Sequence, residues 1–146
     1  MDKPEIIPAI VLASHALARI AAQDAGNDAP SAQWRVLSIL ERDGALRIGG
    51  LARAARTTQP GMTRLIGDLE RAGLVARTAD PADSRATLVT VTAKGLDAVR
   101  AWRAELRDTL APRFAALGED DWAALARAAE ILAAHTQDER MMGETQ

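Results

Sequence analysis

Two short stretches of this chain gather side chains suited to recognition by hydrogen bonding. Residues 56–64 read RTTQPGMTR, and residues 83–85 read DSR. Arginine forms two parallel hydrogen bonds to a guanine edge and glutamine does the same for adenine, while threonine contacts phosphate or a thymine methyl. Arg56, Thr57, Thr58, Gln59, Pro60, Gly61, Thr63 and Arg64 therefore form one candidate surface for duplex DNA. Gly61 adds no bulk between backbone and groove. Asp83, Ser84 and Arg85 form a second, in which a loop arginine enters the negative potential of a minor groove and the neighbouring carboxylate orients it. The bland alternatives are a solvated helix face for the first and a surface ion pair of little energetic weight for the second. Neither stretch decides the matter alone.

The flanking elements weigh against the bland alternatives. Thr58 is suited to N-cap a helix whose first turn holds Gln59 and Pro60, where the proline's missing N–H does no harm. Met62, Leu65, Ile66 and Leu69 then form an inward stripe, and Gly73 ends the helix in a left-handed cap. Before it, Arg56 and Thr57 make a turn after a short helix over 48–55, which Gly49 and Gly50 weaken by ~1 kcal/mol each relative to alanine. After it, the hydrophobic period changes to two. A strand over 74–78, a loop over 79–84 opened by Asp80-Pro81, and a strand over 85–91 predict a β-hairpin with an enlarged tip. Helix, turn, helix and hairpin in that order predict a winged helix-turn-helix: a mainly α fold with a small β-hairpin wing.

Outside this unit the period is helical. A first helix over 4–23 is apolar on more than one side and needs a partner. A loop with Gly26, Asn27, Asp28 and Pro30 leads to a Ser31 cap and a second helix over 32–42, which buries Trp34 or Val36, Leu37 and Leu40 and ends at Asp43-Gly44. Residues 45–47 are suited to a minor strand. Thr92 caps a long helix over 93–117, in which Pro112 is suited to a bend. Gly118 breaks it, and a last amphipathic helix starts at the acidic residues 119–121 and runs to about His135.

Composition narrows the function classes. The 146 residues are 48% hydrophobic, enough for one packed core, and contain no cysteine, which excludes disulfides, thiolate metal sites and thiol redox sensing. Asp2 and Glu5 offset Lys3 near the start, and no uninterrupted apolar run approaches the ~18 residues of a spanning helix, so a cytoplasmic protein is expected. The net charge of −2 argues against a nucleic-acid partner until its distribution is considered. Residues 44–103 carry ten basic and five acidic side chains, while the remainder carries eight and fifteen. Positive charge is concentrated on the motif, the footprint expected of a phosphate-binding surface.

Three stretches resemble the MarR (multiple antibiotic resistance regulator) family of transcriptional regulators: QWRVLSIL over 33–40, TTQPGMTRLIGDLERAGLV over 57–75, and DPADSRATLVTVTAKG over 80–95. The resemblance implies a single MarR-like domain over 1–146, with the winged helix-turn-helix over 31–104 and helical dimerisation parts over 1–30 and 105–146. It implies a homodimer, a repressor on a pseudo-palindromic operator, with Gln59, Pro60, Thr63 and Arg64 in the major groove and Arg85, held by Asp83, probing the minor groove. Ile48, Gly49 and Gly50 depart from the family's usual capping residue and good helix formers, and Gly61 and Gly67 loosen the reading helix. Such regulators often bind a small aromatic or anionic effector. His15, Arg19, Trp34 and Arg35 are the candidates here, beside plainer roles as core, interface and solvated face.

Other chemistry finds little support. Two histidines far apart in sequence suggest no metal site, and there is neither a glycine-rich phosphate loop nor a nucleophile elbow, so no cofactor and no enzymatic activity is expected. The rival from another class is a protein-interaction module on the same scaffold, without direct DNA binding.

Overall fold

The computed structural model describes residues 1–25 and 31–136. The loop residues Gly26 to Pro30 and the capping side chain of Ser31 lie outside the described residues. Among those described, six helices and three strands follow in the order α1 (Lys3–Ala25), α2 (Ser31–Asp43), β1 (Leu46–Arg47), α3 (Ile48–Ala54), α4 (Gln59–Arg71), β2 (Val75–Asp80), β3 (Asp83–Val91), α5 (Ala93–Phe114) and α6 (Glu119–Ala134). The chain divides into two compact units, Met1–Leu110 and Ala111–Gln146.

The core belongs to the helix-turn-helix and its wing. Leu37, Leu40, Leu51, Met62, Ile66, Leu69, Val89 and Val99 are almost wholly buried in one cluster, each such side chain contributing ~1.5–3 kcal/mol. Val36 and Leu37 are both buried on α2, and Trp34 packs against the cluster from its rim. On α4 the expected stripe is inward, with Leu65 half-buried at its border. The residues between them are polar or glycine.

Helix ends are set by backbone geometry. Gly44 and Gly73 take φ of 78° and 76°, the left-handed conformation that closes α2 and α4. Behind Gly73, the Gly73 N–H donates to Glu70 O and the Leu74 N–H to Leu69 O, turning the chain directly into β2. Thr92 then ties α5 to this corner. Its hydroxyl donates to Gly73 O at 2.6 Å and accepts the Gly95 N–H at 3.1 Å, while Lys94 Nζ donates to Ala72 O at 2.8 Å. Gly95 is pressed so closely on the residue that leads into β2 that a Cβ there would stand 2.1 Å from Leu74 O. No other residue fits.

The sheet is antiparallel in the order β1-β3-β2, with Leu46 opposite Val89 and Val75 opposite Val91. The wing corrects one expectation: residues 79–84 are not a loop. Strand β2 runs on to Asp80 and β3 begins at Asp83, so only Pro81 and Ala82 form the turn, and the surplus length is a bulge at Ser84, Arg85 and Ala86 on β3. Side chains hold this arrangement. Asp80 Oδ1 accepts the Ala82 N–H at 2.9 Å, and both Arg47 Nε and Nη2 donate to Asp80 Oδ2 at 2.9 and 2.7 Å.

The long helix α5 contains Pro112 in its last turn, and α6 is capped by Gly118 without a side-chain bond. In the second unit, Phe114 packs obliquely on Trp122 with ring centroids 6.3 Å apart. No residue of α6 is buried, and Trp122, Leu125 and Ile131 are 43–47% exposed. In the first unit, α1 buries only Ala21 and exposes Ile6, Ile7, Val11 and Leu12. An 18-residue window of this 23-residue helix has a mean hydropathy of 1.5, long and apolar enough to cross a membrane by length and composition alone, a test that the core helix of a soluble protein also passes. Pro8, His15 and Arg19 interrupt α1, so it holds no unbroken apolar run of that length.

Candidate nucleic-acid interface

The candidate surface starts at a strained turn. Helix α3 ends with the Arg56 N–H donating to Arg53 O at 3.2 Å and the Thr57 N–H to Ala52 O at 2.9 Å, a left-handed closure that normally takes glycine. Arg56 occupies it with φ of 53°, the one non-glycine residue with positive φ among those described. The strain is local, ~1–2 kcal/mol, and it sits where the chain turns from α3 toward α4. Thr58 follows in extended conformation, and its Oγ1 accepts the Gly61 N–H at 3.2 Å, the predicted cap. Its hydroxyl proton remains available to an acceptor outside the helix.

Arg56 to Gly61, together with Thr63 and Arg64, are all exposed at the leading end of α4. The Thr63 hydroxyl donates to Gln59 O at 3.0 Å, which turns its proton inward and leaves its oxygen lone pairs as acceptors. A Cβ on Gly61 would stand 3.0 Å from Thr58 Oγ1, so the glycine keeps the cap uncrowded. Pro60 carries no N–H and the Gly61 N–H is taken by Thr58, so what this terminus offers a phosphate is chiefly the positive end of the helix dipole.

At the wing, Asp83, Ser84 and Arg85 are exposed. Asp83 Oδ1 accepts the backbone N–H of Arg85 at 3.0 Å. The carboxylate therefore holds the Arg85 main chain, and no described residue forms an ion pair with the Arg85 guanidinium. The Ala82 N–H, and then Arg47, hold the Asp80 carboxyl below its ordinary value. Arg47 and Asp80 are the contribution that the sequence analysis missed. They lie 33 residues apart and meet only because β1 and β2 flank the same strand.

The charge concentrated over 44–103 separates into two groups. Arg47, Arg71, Arg77, Arg100 and Arg103 pair with Asp80, Asp68, Glu70, Asp97 and Glu41. Arg53, Arg56, Arg64 and Arg85 pair with no carboxylate among the described residues, and all four lie on the helix-turn-helix or the wing tip. The tenth cation, Lys94, donates to Ala72 O, so the arginines left to a polyanion over 44–103 are those on the motif.

The sequence profile of the MarR family matches residues 28–86. The HTH-type transcriptional regulator Mb0904 of Mycobacterium bovis is 36% identical over 102 residues, covering 70% of this chain and 71% of the relative. The chain belongs to the MarR family. It is also similar to the transcriptional activatory protein BadR of Rhodopseudomonas palustris, 41% identical over 66 residues, 43% of this chain and 38% of that protein. In fold, this MarR-family chain is similar to a point mutant of MarR from E. coli, with a TM-score of 0.71 at 19% identity over 91% of this chain and 97% of that one.

The candidate effector residues are not brought together. Trp34 lines a cavity of about 370 Å³ with parts of α1 and α5. Arg35 instead borders an open surface groove with Glu41, Arg42 and Arg103, and His15 and Arg19 are exposed on α1 outside the lining of either.

Proposed function

We propose that this MarR-family chain is a cytoplasmic homodimeric repressor that binds a specific pseudo-palindromic duplex and releases it when a small molecule occupies the protein. What carries the DNA-binding reading is the placement of Arg53, Arg56, Arg64 and Arg85, exposed and without carboxylate partners on the motif while the neighbouring arginines are neutralised. In the reading, Gln59, Pro60, Thr63 and Arg64 enter the major groove, Thr57 and Thr58 meet phosphate at the helix terminus, and Arg85 enters the minor groove. The exposed apolar residues of α1, and separately those of α6, are the surfaces a second copy covers. Two-fold symmetry then spaces the half-sites by about one helical turn, ~34 Å.

Selection of bound sequences from a random duplex pool, followed by titration over a salt series, tests this. The expected result is an inverted-repeat site. Arg85→Ala lowers affinity and flattens the salt dependence by about one phosphate contact, and Arg64→Ala costs ~1–3 kcal/mol and relaxes base preference at one position per half-site. Equal, wild-type-strength binding of Arg64→Ala to selected and scrambled duplexes refutes the base-reading role. Retention of no duplex at low salt refutes DNA binding and leaves the protein-interaction module. Activation is the second reading, favoured by the name of the BadR relative. A reporter behind the selected site distinguishes the two by the sign of its response to deletion.

A further inference from the structure

Arg47 joins the two candidate recognition elements. Its backbone is extended at the N-cap position of α3, yet it makes no side-chain cap bond there. An arginine has no acceptor for the first N–H groups of a helix, so its side chain leaves α3 uncapped. The guanidinium goes to the wing instead. In the sheet, Arg47 and Thr78 both stand level with Leu88 of the middle strand, and Asp80 lies two residues beyond Thr78 toward the tip. Arg47 therefore reaches across β3 and closes on Asp80 Oδ2 through Nε and Nη2, at 2.9 and 2.7 Å. The Asp80 side chain is 11% exposed, whereas those of Asp68 and Asp97, paired along helices, are 61% and 78% exposed. A carboxylate so far withdrawn from water depends on its partners, which makes this tie firmer than the solvated ion pairs.

From Asp80 the contacts run on to the arginine of the wing. Asp80 Oδ1 accepts the Ala82 N–H at 2.9 Å, Asp80 pairs with Asp83 across the two-residue turn, and Asp83 Oδ1 accepts the Arg85 N–H at 3.0 Å. Without Arg47 the tip is a two-stranded end with a bulge, exposed from Pro81 to Arg85, and such an end swings readily. With it, the tip is tied to the residue from which α3 starts, and α3 shares one buried cluster with α4 through Leu51 and Met62. Reading a duplex at two places needs a fixed distance between the readers. A swinging Arg85 still finds phosphate or groove, but at no particular step. We propose that Arg47 is a positioning residue for minor-groove recognition, which through Asp80 fixes the step of the duplex that Arg85 enters relative to the bases under α4.

This role rests on the DNA-binding reading and adds to it the tie that gives the flanks of the site their specificity. The probe is the inverted repeat recovered from the random pool, carrying in turn A·T, G·C and inosine·cytosine pairs at the steps flanking each half-site. Inosine·cytosine presents the minor groove of A·T, without the guanine amino group, and the major groove of G·C. The full chain should bind A·T and inosine·cytosine flanks alike and G·C flanks at least about ten-fold more weakly. Arg47→Ala should bring the three flanks within about two-fold of one another while keeping the wild-type penalty for base changes under α4. Arg85→Ala should remove the flank preference likewise. Arg47→Lys, which keeps a charged bond to Asp80, should retain most of it. Asp80→Ala should reproduce Arg47→Ala, and adding Arg47→Ala to it should cost nothing further, since both break one pair. Circular dichroism checks that each variant is folded, and the contrast of Arg47→Lys with Asp80→Ala decides the matter if Arg47→Ala is not. A flank preference that survives Arg47→Ala, a uniform loss of affinity in that folded variant, or a wild-type chain indifferent to its flanks overturns the proposal. So does an Asp80→Ala chain that binds more tightly with its flank preference intact, because Arg47 is then a masked phosphate cation. Retention of no duplex removes DNA binding and this role together, whereas a selected site read without regard to Arg47 removes the role alone.

Discussion

Arg56 combines backbone strain with exposed charge. A left-handed conformation costs a residue with a Cβ ~1–2 kcal/mol, and glycine would occupy the same closure freely. The arginine at this position is therefore kept against local stability, and its guanidinium has no carboxylate partner among the described residues. Arg56→Gly should raise the unfolding free energy by up to ~1 kcal/mol in denaturant titration while weakening duplex binding and reducing its salt slope. A variant that is both more stable and equally tight on DNA would show the arginine to be incidental. Gly95 is the opposite case. There the close approach of Leu74 O leaves no choice of residue, and the requirement concerns only packing.

At the scale of elements, α3 and the wing are held by different means. Helix α3 has seven residues, no side-chain cap at Arg47 and two adjacent glycines, so its position depends on Leu51 and Ala52, both buried. A Cβ on Gly50 would meet nothing within 4 Å. Gly50→Ala should therefore stabilise the protein by ~0.5–1 kcal/mol, seen as a rise in thermal midpoint, with duplex affinity unchanged or improved. A fall in midpoint would mean that the glycine serves a closer contact.

The wing depends on charge. Because the Ala82 N–H and Arg47 favour ionised Asp80, the carboxyl titrates below the ordinary 3.8 in the folded chain. The stability this contributes is present above that value and is lost as the pH falls through the lower folded value. Protection of the Ala82 amide, taken relative to its intrinsic exchange rate, should fall over that acid window, and Asp80→Asn should remove this pH dependence of the protection. An identical acid profile in the variant would assign the transition to another carboxylate.

For the whole molecule, charge and apolar surface are sorted to different places. The paired and unpaired arginines lie around the core of the winged unit, whereas the large exposed apolar side chains lie on α1 and, in the second unit, on α6. Burial of such side chains against a second copy offsets their exposure to water. Leu12→Glu, at a side chain 70% exposed, should leave the circular dichroism spectrum intact and shift the sedimentation equilibrium toward monomer. It should also lower affinity for the inverted repeat by about 100-fold, because two linked half-site contacts become one. Unchanged oligomeric state would place the subunit contact elsewhere.

Much of this was legible in the chain of residues because the controlling interactions are local. Thr58 caps from three residues away, Gly44 and Gly73 close their own helices, and the switch from a helical period to alternation marks α4 and the hairpin within a dozen residues. The wing tip was legible only in part: Asp80-Pro81 announced a turn, but not the pairing of Asp80 with Asp83, the bulge at Arg85, or the bond to Asp80 from Arg47, which β1 brings to the tip across β3. The same holds for the arginines. Sequence alone determined that positive charge gathers over 44–103. Only the tertiary structure decided which guanidiniums are neutralised and which are left facing solvent, because ion pairs such as Arg103 with Glu41, 62 residues apart, are set by packing and not by spacing. It likewise placed Trp34, Trp102 and Glu105 around one cavity, since proximity between helices distant in sequence is a property of the folded core.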